Sequence, residues 1–163
     1  MPEPWLRNTR TGIEPIRRAA IHALDLADED LHRWCGQLSQ EELHDTPHRL
    51  PSVAFQLRHI ARSLDRLLTY AEGKPLSEEQ LTELRSENGP QGTAAAIFLE
   101  FDTAIEASRD RILVLQGDFA EARHVGRDRI PTTLGGLIVH IADHTQRHTG
   151  QAITTAKVLL ASR

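Results

Sequence analysis

Apolar residues recur at intervals of three and four along almost the whole chain, and no stretch alternates apolar with polar for long. That period predicts helices and makes strands improbable. Ile16, Ala20, Leu24, Ala27, Leu31 and Trp34 trace a first long helix. It begins near Ile13, Glu14 and Pro15, where proline suits the first turn, and ends about Gln37, with Gly36 near its end. A second runs from Pro51 and Ser52 to Gly73, with Phe55, Ile60, Leu64, Leu67 and Leu68 among its core residues and His59 in its middle. The third extends from Thr93 to about Gln116, presents Ala96, Ile97, Phe101, Ile105, Ile112 and Leu115, and is closed by Gly117. Thr132 or Thr133 caps the fourth, whose core face includes Leu134, Leu137, Ile141 and Ile153 and which reaches Leu160.

Two shorter elements are expected between these. Ser39 with Glu42, and Ser77 with Gln80, are capping-box pairs. Each predicts a short helix, the first before the loop at Pro47 and Pro51, the second ending near Arg85. Asn88, Gly89, Pro90 and Gly92 then break the chain, and the polar, Arg-rich stretch from Asp118 to Thr132 reads as a loop. Four long amphipathic helices without strands make an all-α four-helix bundle with short extra helices. The long connection between the second and third permits a crossover.

Composition narrows the function. A chain of 163 residues suits one domain, residues 1–163, with a single core. Its 39% hydrophobic and 26% charged residues are those of a globular protein rather than a disordered one. No apolar run approaches the roughly 18 residues of a membrane span, and the start Met1-Pro2-Glu3-Pro4-Trp5 lacks the layout of a signal peptide, so a cytoplasmic protein is expected. The formal net charge of −4 argues against general nucleic-acid binding, since the basic clusters at Arg17-Arg18 and Arg123 to Arg129 are short. Cys35 is the only cysteine, which excludes an intrachain disulfide and a Cys-rich zinc site. It reads as a small core residue, and any metal must be held by histidines and carboxylates.

Nine histidines are present. His22, His32, His44, His48 and His124 occur singly or in loops, where a solvated or hydrogen-bonded imidazole is the default. His140, His144 and His148 differ, because four-residue steps advance only about 40° around a helix and stack the three on one face. His144 and His148, about 6 Å apart along the axis, can lean toward one cation at roughly 2.0 to 2.1 Å. All three together span about 12 Å, too far for one ion. A third ligand from another helix is the better expectation, with His59 the best-placed candidate and His140 a neighbour or pocket wall. Asp143 points about 100° away from His144 and reads as solvated. Gln151 could hydrogen-bond across the bundle or line the pocket. Arg58, Arg62 and Arg66 form a basic stripe that reads as a solvated face paired with acidic neighbours, or as a surface that greets an anionic substrate.

The mid-helix histidine within Leu57-Arg58-His59-Ile60-Ala61, followed late in the chain by His140, His144, His148, Gly150 and Gln151, resembles the DinB-like superfamily of metal-dependent proteins, which includes the bacillithiol transferases. The resemblance spans nearly the whole chain, and its most specific part is the His-x-x-x-His-x-Gly-Gln ending. It implies a bundle running up-down-down-up, commonly a homodimer, with a divalent ion, nickel or zinc, held by His59, His144 and His148. It further implies a small-molecule substrate and a low-molecular-weight thiol as co-substrate. An ion held by three neutral imidazoles keeps most of its charge and lowers the pKa of a thiol or water, giving S-transfer or hydrolysis respectively. Two other readings stay open: a non-catalytic bundle braced by the same three histidines, and a dimer whose histidines coincide without metal.

Overall fold

The structure, a computed structural model, describes residues 1–86 and 92–163. The expected chain break at Asn88, Gly89 and Pro90 lies outside the described residues. The helices are α1 (Pro15–Cys35), α2 (Gln40–His44), α3 (Val53–Ala71), α4 (Glu78–Ser86), α5 (Ala94–Val114) and α6 (Leu134–Ala161). Their starts are set chemically. Pro15 opens α1 while the Glu14 carboxylate accepts from the amides of Ile16 and Arg17. Ser39 and Glu42 form the reciprocal capping box of α2. The hydroxyls of Ser52, Thr93 and Thr133 accept the amides of Phe55, Ala96 and Gly136 at the heads of α3, α5 and α6. Each satisfies a donor that the first turn would otherwise leave unpaired.

Cross-helix contacts fix the directions. Arg58 and Arg62 of α3 both reach Glu100 of α5, while Arg111 further along α5 reaches Asp65 and Glu72. These two helices are therefore parallel. Gln146 donates to the Ala23 carbonyl and Lys157 lies over the Trp34 ring, so α6 runs parallel to α1. Arg109 reaches Asp25 and Asp28 where His32 meets Asp102, making α1 and α5 antiparallel. Gln56 meets His148 and the Pro51 carbonyl meets Thr155, making α3 and α6 antiparallel. The course is the expected up-down-down-up, and the crossover that parallel α3 and α5 require carries α4. The core at the centre is Ile21, Leu24 and Leu31 from α1, Leu57, Ile60 and Leu64 from α3, Phe101 and Ile105 from α5, and Ile138 and Ile141 from α6, all buried. Cys35 is buried with them, and desolvation pushes its thiol up to about 12, as expected of a core residue.

Three expectations need correction. A two-stranded antiparallel hairpin, β1 (Ala122–Val125) and β2 (Ile130–Thr133), stands where a loop was expected. Its strands have no apolar alternation to read, since backbone ladder bonds rather than a buried face hold them and Arg123 is their one buried side chain among the described residues. Phe55 and Ile153 are half-buried rather than core, and Ala96 is exposed. The third long helix also stops at Val114, and the turn beyond it uses Gly117 at φ +113°, a region glycine enters without a Cβ penalty.

Gly150 sits on the exposed side of α6, where an added Cβ would meet nothing within 4 Å. Gly150→Ala is expected to stabilise the protein by about 0.5 to 1 kcal/mol, through reduced unfolded-chain entropy and better helix propensity. A thermal melt checks this, and a lower melting temperature would contradict it.

Candidate metal centre

The buried face of α6 runs through Ile141, Thr145, Thr149 and Ala152. His144 and His148 each precede a member of that stripe by one residue, which turns them about 100° to its edge, half-buried and toward α3. His59 stands in the same relation to buried Ile60 on α3. Antiparallel packing of α3 on α6 then brings the three rings together. Their centroids are 5.0 Å apart for His59 and His144, 4.2 Å for His59 and His148, and 4.4 Å for His144 and His148. One ring nitrogen from each lies within 4.8 Å of the other two.

This donor set fits a metal ion. The Nε2 atoms of His59 and His144 are 3.2 Å apart. Two imidazole nitrogens bound tetrahedrally to one ion at 2.0 to 2.1 Å would be about 3.3 Å apart. His148 is oriented from behind, its Nδ1 donating to Gln56 Oε1 at 2.7 Å, which leaves Nε2 as the lone-pair nitrogen. The Gln56 amide in turn donates to Gln151 Oε1 at 2.9 Å. His59 stacks on Phe55, centroids 5.5 Å apart and planes 16° from parallel. Burial pushes His144 down to about 4, and the positive charge that His148, His59, His140 or Arg147 would carry beside it acts in the same direction. Near neutral pH that ring is unprotonated and offers its lone pair. These three histidines could therefore hold a metal ion.

The other candidates fall in different places. His140 is exposed, its Nδ1 3.4 Å from the Asp143 carboxylate, and lines a cavity next to His144, a pocket-wall position. Asp143 is exposed and reaches Arg147 as well. Gln151 makes its hydrogen bond across the bundle, to Gln56. The arginine stripe splits: Arg58 and Arg62 pair with Glu100 in the α3–α5 seam, whereas Arg66 is buried and faces the cavity. Gln56 was not singled out in the sequence. The one signal for it is a polar residue, three before His59, at a position that faces the core.

A second group, Asp28, His32 and Asp102, also brings three potential ligand atoms together. Its geometry is that of an interhelical hydrogen bond, with His32 Nε2 2.7 Å from Asp102 Oδ1 and its ring against Phe98 on α5. No helix among the described residues is long and apolar enough to cross a membrane.

Comparison with curated proteins and with solved structures yields no match to this chain. A family model does match, over residues 23–152, a span that takes in His59, His144 and His148 together with the helices that bring them into one cluster. With most of its length matched, and with the histidines on α3 and α6 converging as described, this chain belongs to the DinB superfamily.

Proposed function

We propose that the protein is a metal-dependent enzyme that holds one divalent ion, nickel or zinc, on His59, His144 and His148, and that it activates a small thiol for S-transfer or water for hydrolysis. The observation that carries this reading is a cluster of three imidazole donors placed beside an open cavity that shares His144. Imidazole suits both metals, and three protein ligands leave further positions for an incoming molecule. When bound, the ion supplies Lewis acidity, which lowers the pKa of a thiol or water brought to it.

The chain's own residues do the remaining work. His144, lowered to about 4, keeps its lone pair available at neutral pH, so protons compete little for the site. Gln56 and Gln151 fix the tautomer of His148, and Phe55 sets the plane of His59. Half-burial of the rings limits water around them, which strengthens every charge interaction there.

The test is to load metal-free protein with cobalt and record its visible spectrum before and after a small thiol is added. One equivalent of cobalt and a new thiolate charge-transfer band are expected, followed by consumption of an added electrophile. Cobalt bound with a spectrum that neither thiol nor added azide perturbs, with chelation lowering the melting temperature, would mean no open coordination position and support a non-catalytic brace between α3 and α6. No metal taken up, even from added nickel or zinc, would defeat both.

A further inference from the structure

Beside His144, helices α3 and α6 and the α4 segment line an open cavity of about 230 Å³. Its polar lining is Ser63, Arg66 and Tyr70 from α3 and His140 and His144 from α6. Leu67, Leu76 and Leu84 form an apolar wall, the last two brought by the crossover. Gln80 of α4 anchors that segment by donating to Thr69 at 2.8 Å and to the Asp65 carboxylate.

Arg66 stands seven residues after His59, so it shares that face of α3 two turns further on. It is 8% exposed. Its Nη2 donates to Ser63 Oγ at 3.0 Å, which draws the guanidinium back to a residue one turn from His59. A cation withdrawn from water acts more strongly on charges near it than one on the surface. Its planar fork matches a carboxylate, and the hydroxyls of Ser63 and Tyr70 offer further donors on the same lining.

We propose that this cavity binds the carboxylate end of a small substrate, with Arg66 as the residue that selects it, so that the rest of the molecule faces His144. The orientation rests on the metal-site reading above; the binding of the anion does not. The apolar wall takes a short carbon body.

Zinc-loaded protein is titrated calorimetrically with mercaptopropionate and with mercaptoethanol, zinc content being assayed in each sample. Mercaptopropionate is expected to bind about tenfold more tightly. That advantage disappears in Arg66→Gln and is partly kept in Arg66→Lys, with zinc content unchanged. Equal affinity for the two thiols in the parent overturns the proposal and leaves the metal site standing, and this comparison needs no variant to fold. If the parent takes up no zinc, the metal reading fails and propionate, titrated into metal-free protein, decides the cavity by itself. Amide NMR shifts at Ser63, Leu67 and Tyr70 that are lost in Arg66→Gln then sustain it, and their absence overturns it.

Discussion

His144→Ala is expected to yield a folded protein that binds at least a hundredfold less metal affinity than the parent, measured by competition with a chromophoric chelator and by elemental analysis. Loss of one of three ligands leaves a pair, His59 and His148, too few for a stable protein site. Folding is expected to survive, because the His144 ring is half-buried and its removal leaves no charge stranded in the core. The variant also carries a pH signature of its own. In the metal-free parent His144 titrates at about 4, below the ordinary value of 6.5, because burial opposes its charge. As pH falls through 6.5 toward 4, the unfolded chain takes up a proton there that the folded chain refuses, so the parent loses stability across that window. Above 6.5 the ring is neutral in both states and contributes no such dependence. Metal-free His144→Ala should therefore melt with a flatter pH dependence between 6.5 and 4 than the metal-free parent. Equal slopes would show that the ring is not desolvated as described.

Gln56→Leu should weaken metal affinity by about ten- to a hundredfold while all three histidines remain. Gln56 is fully buried and joins two partners, accepting from His148 Nδ1 and donating to Gln151. Leucine fills most of the volume but returns neither bond, so His148 loses the acceptor that fixes its tautomer and Gln151 loses its donor. The fold should lose about 1 to 3 kcal/mol, the cost of leaving a buried polar group unsatisfied. Chemical denaturation separates the two effects from each other. Gln56→Glu is the informative companion: its carboxylate still accepts from His148, so in metal-loaded protein it should recover affinity that leucine loses. Affinity unchanged in Gln56→Leu would mean that His148 is oriented by packing alone.

The long helices were legible because their buried faces are continuous stripes and their first turns carry side chains that can accept a backbone amide, Ser52, Thr93 and Thr133 among them. The spacing of His144 and His148 was legible for the same reason: helical period alone puts them on one face. The meeting of His59 with them depends on the antiparallel register of α3 against α6, which no single helix encodes; its mid-helix position made it the best-placed candidate, and only the resemblance to a family made it a ligand. Gln56 is harder, because a lone glutamine among apolar neighbours has the same appearance whether it is a tolerated core residue or the support of a ligand. The hairpin left no trace for a physical reason. Its bonds are between backbone groups, and its side chains, apart from Arg123, need not be of any particular polarity. Arg66 shows the limit of stripe arguments: three arginines at equal spacing have two different fates, because about 40° of drift per step adds up to about 80° from Arg58 to Arg66 and turns the last of them from the α5 seam toward the cavity beside α6.

Parallel α3 and α5 oblige the chain to travel back along the bundle, and the return segment is what supplies Leu76 and Leu84 to the cavity. The histidines, by contrast, sit on α3 and α6, whose register is set by the shared core. Selection can therefore act on the two parts separately. If the proposed function holds, substitutions or insertions in the return segment would alter which molecules the cavity admits without shifting His59 against His144, so one metal centre could be inherited intact while its ligands diversify.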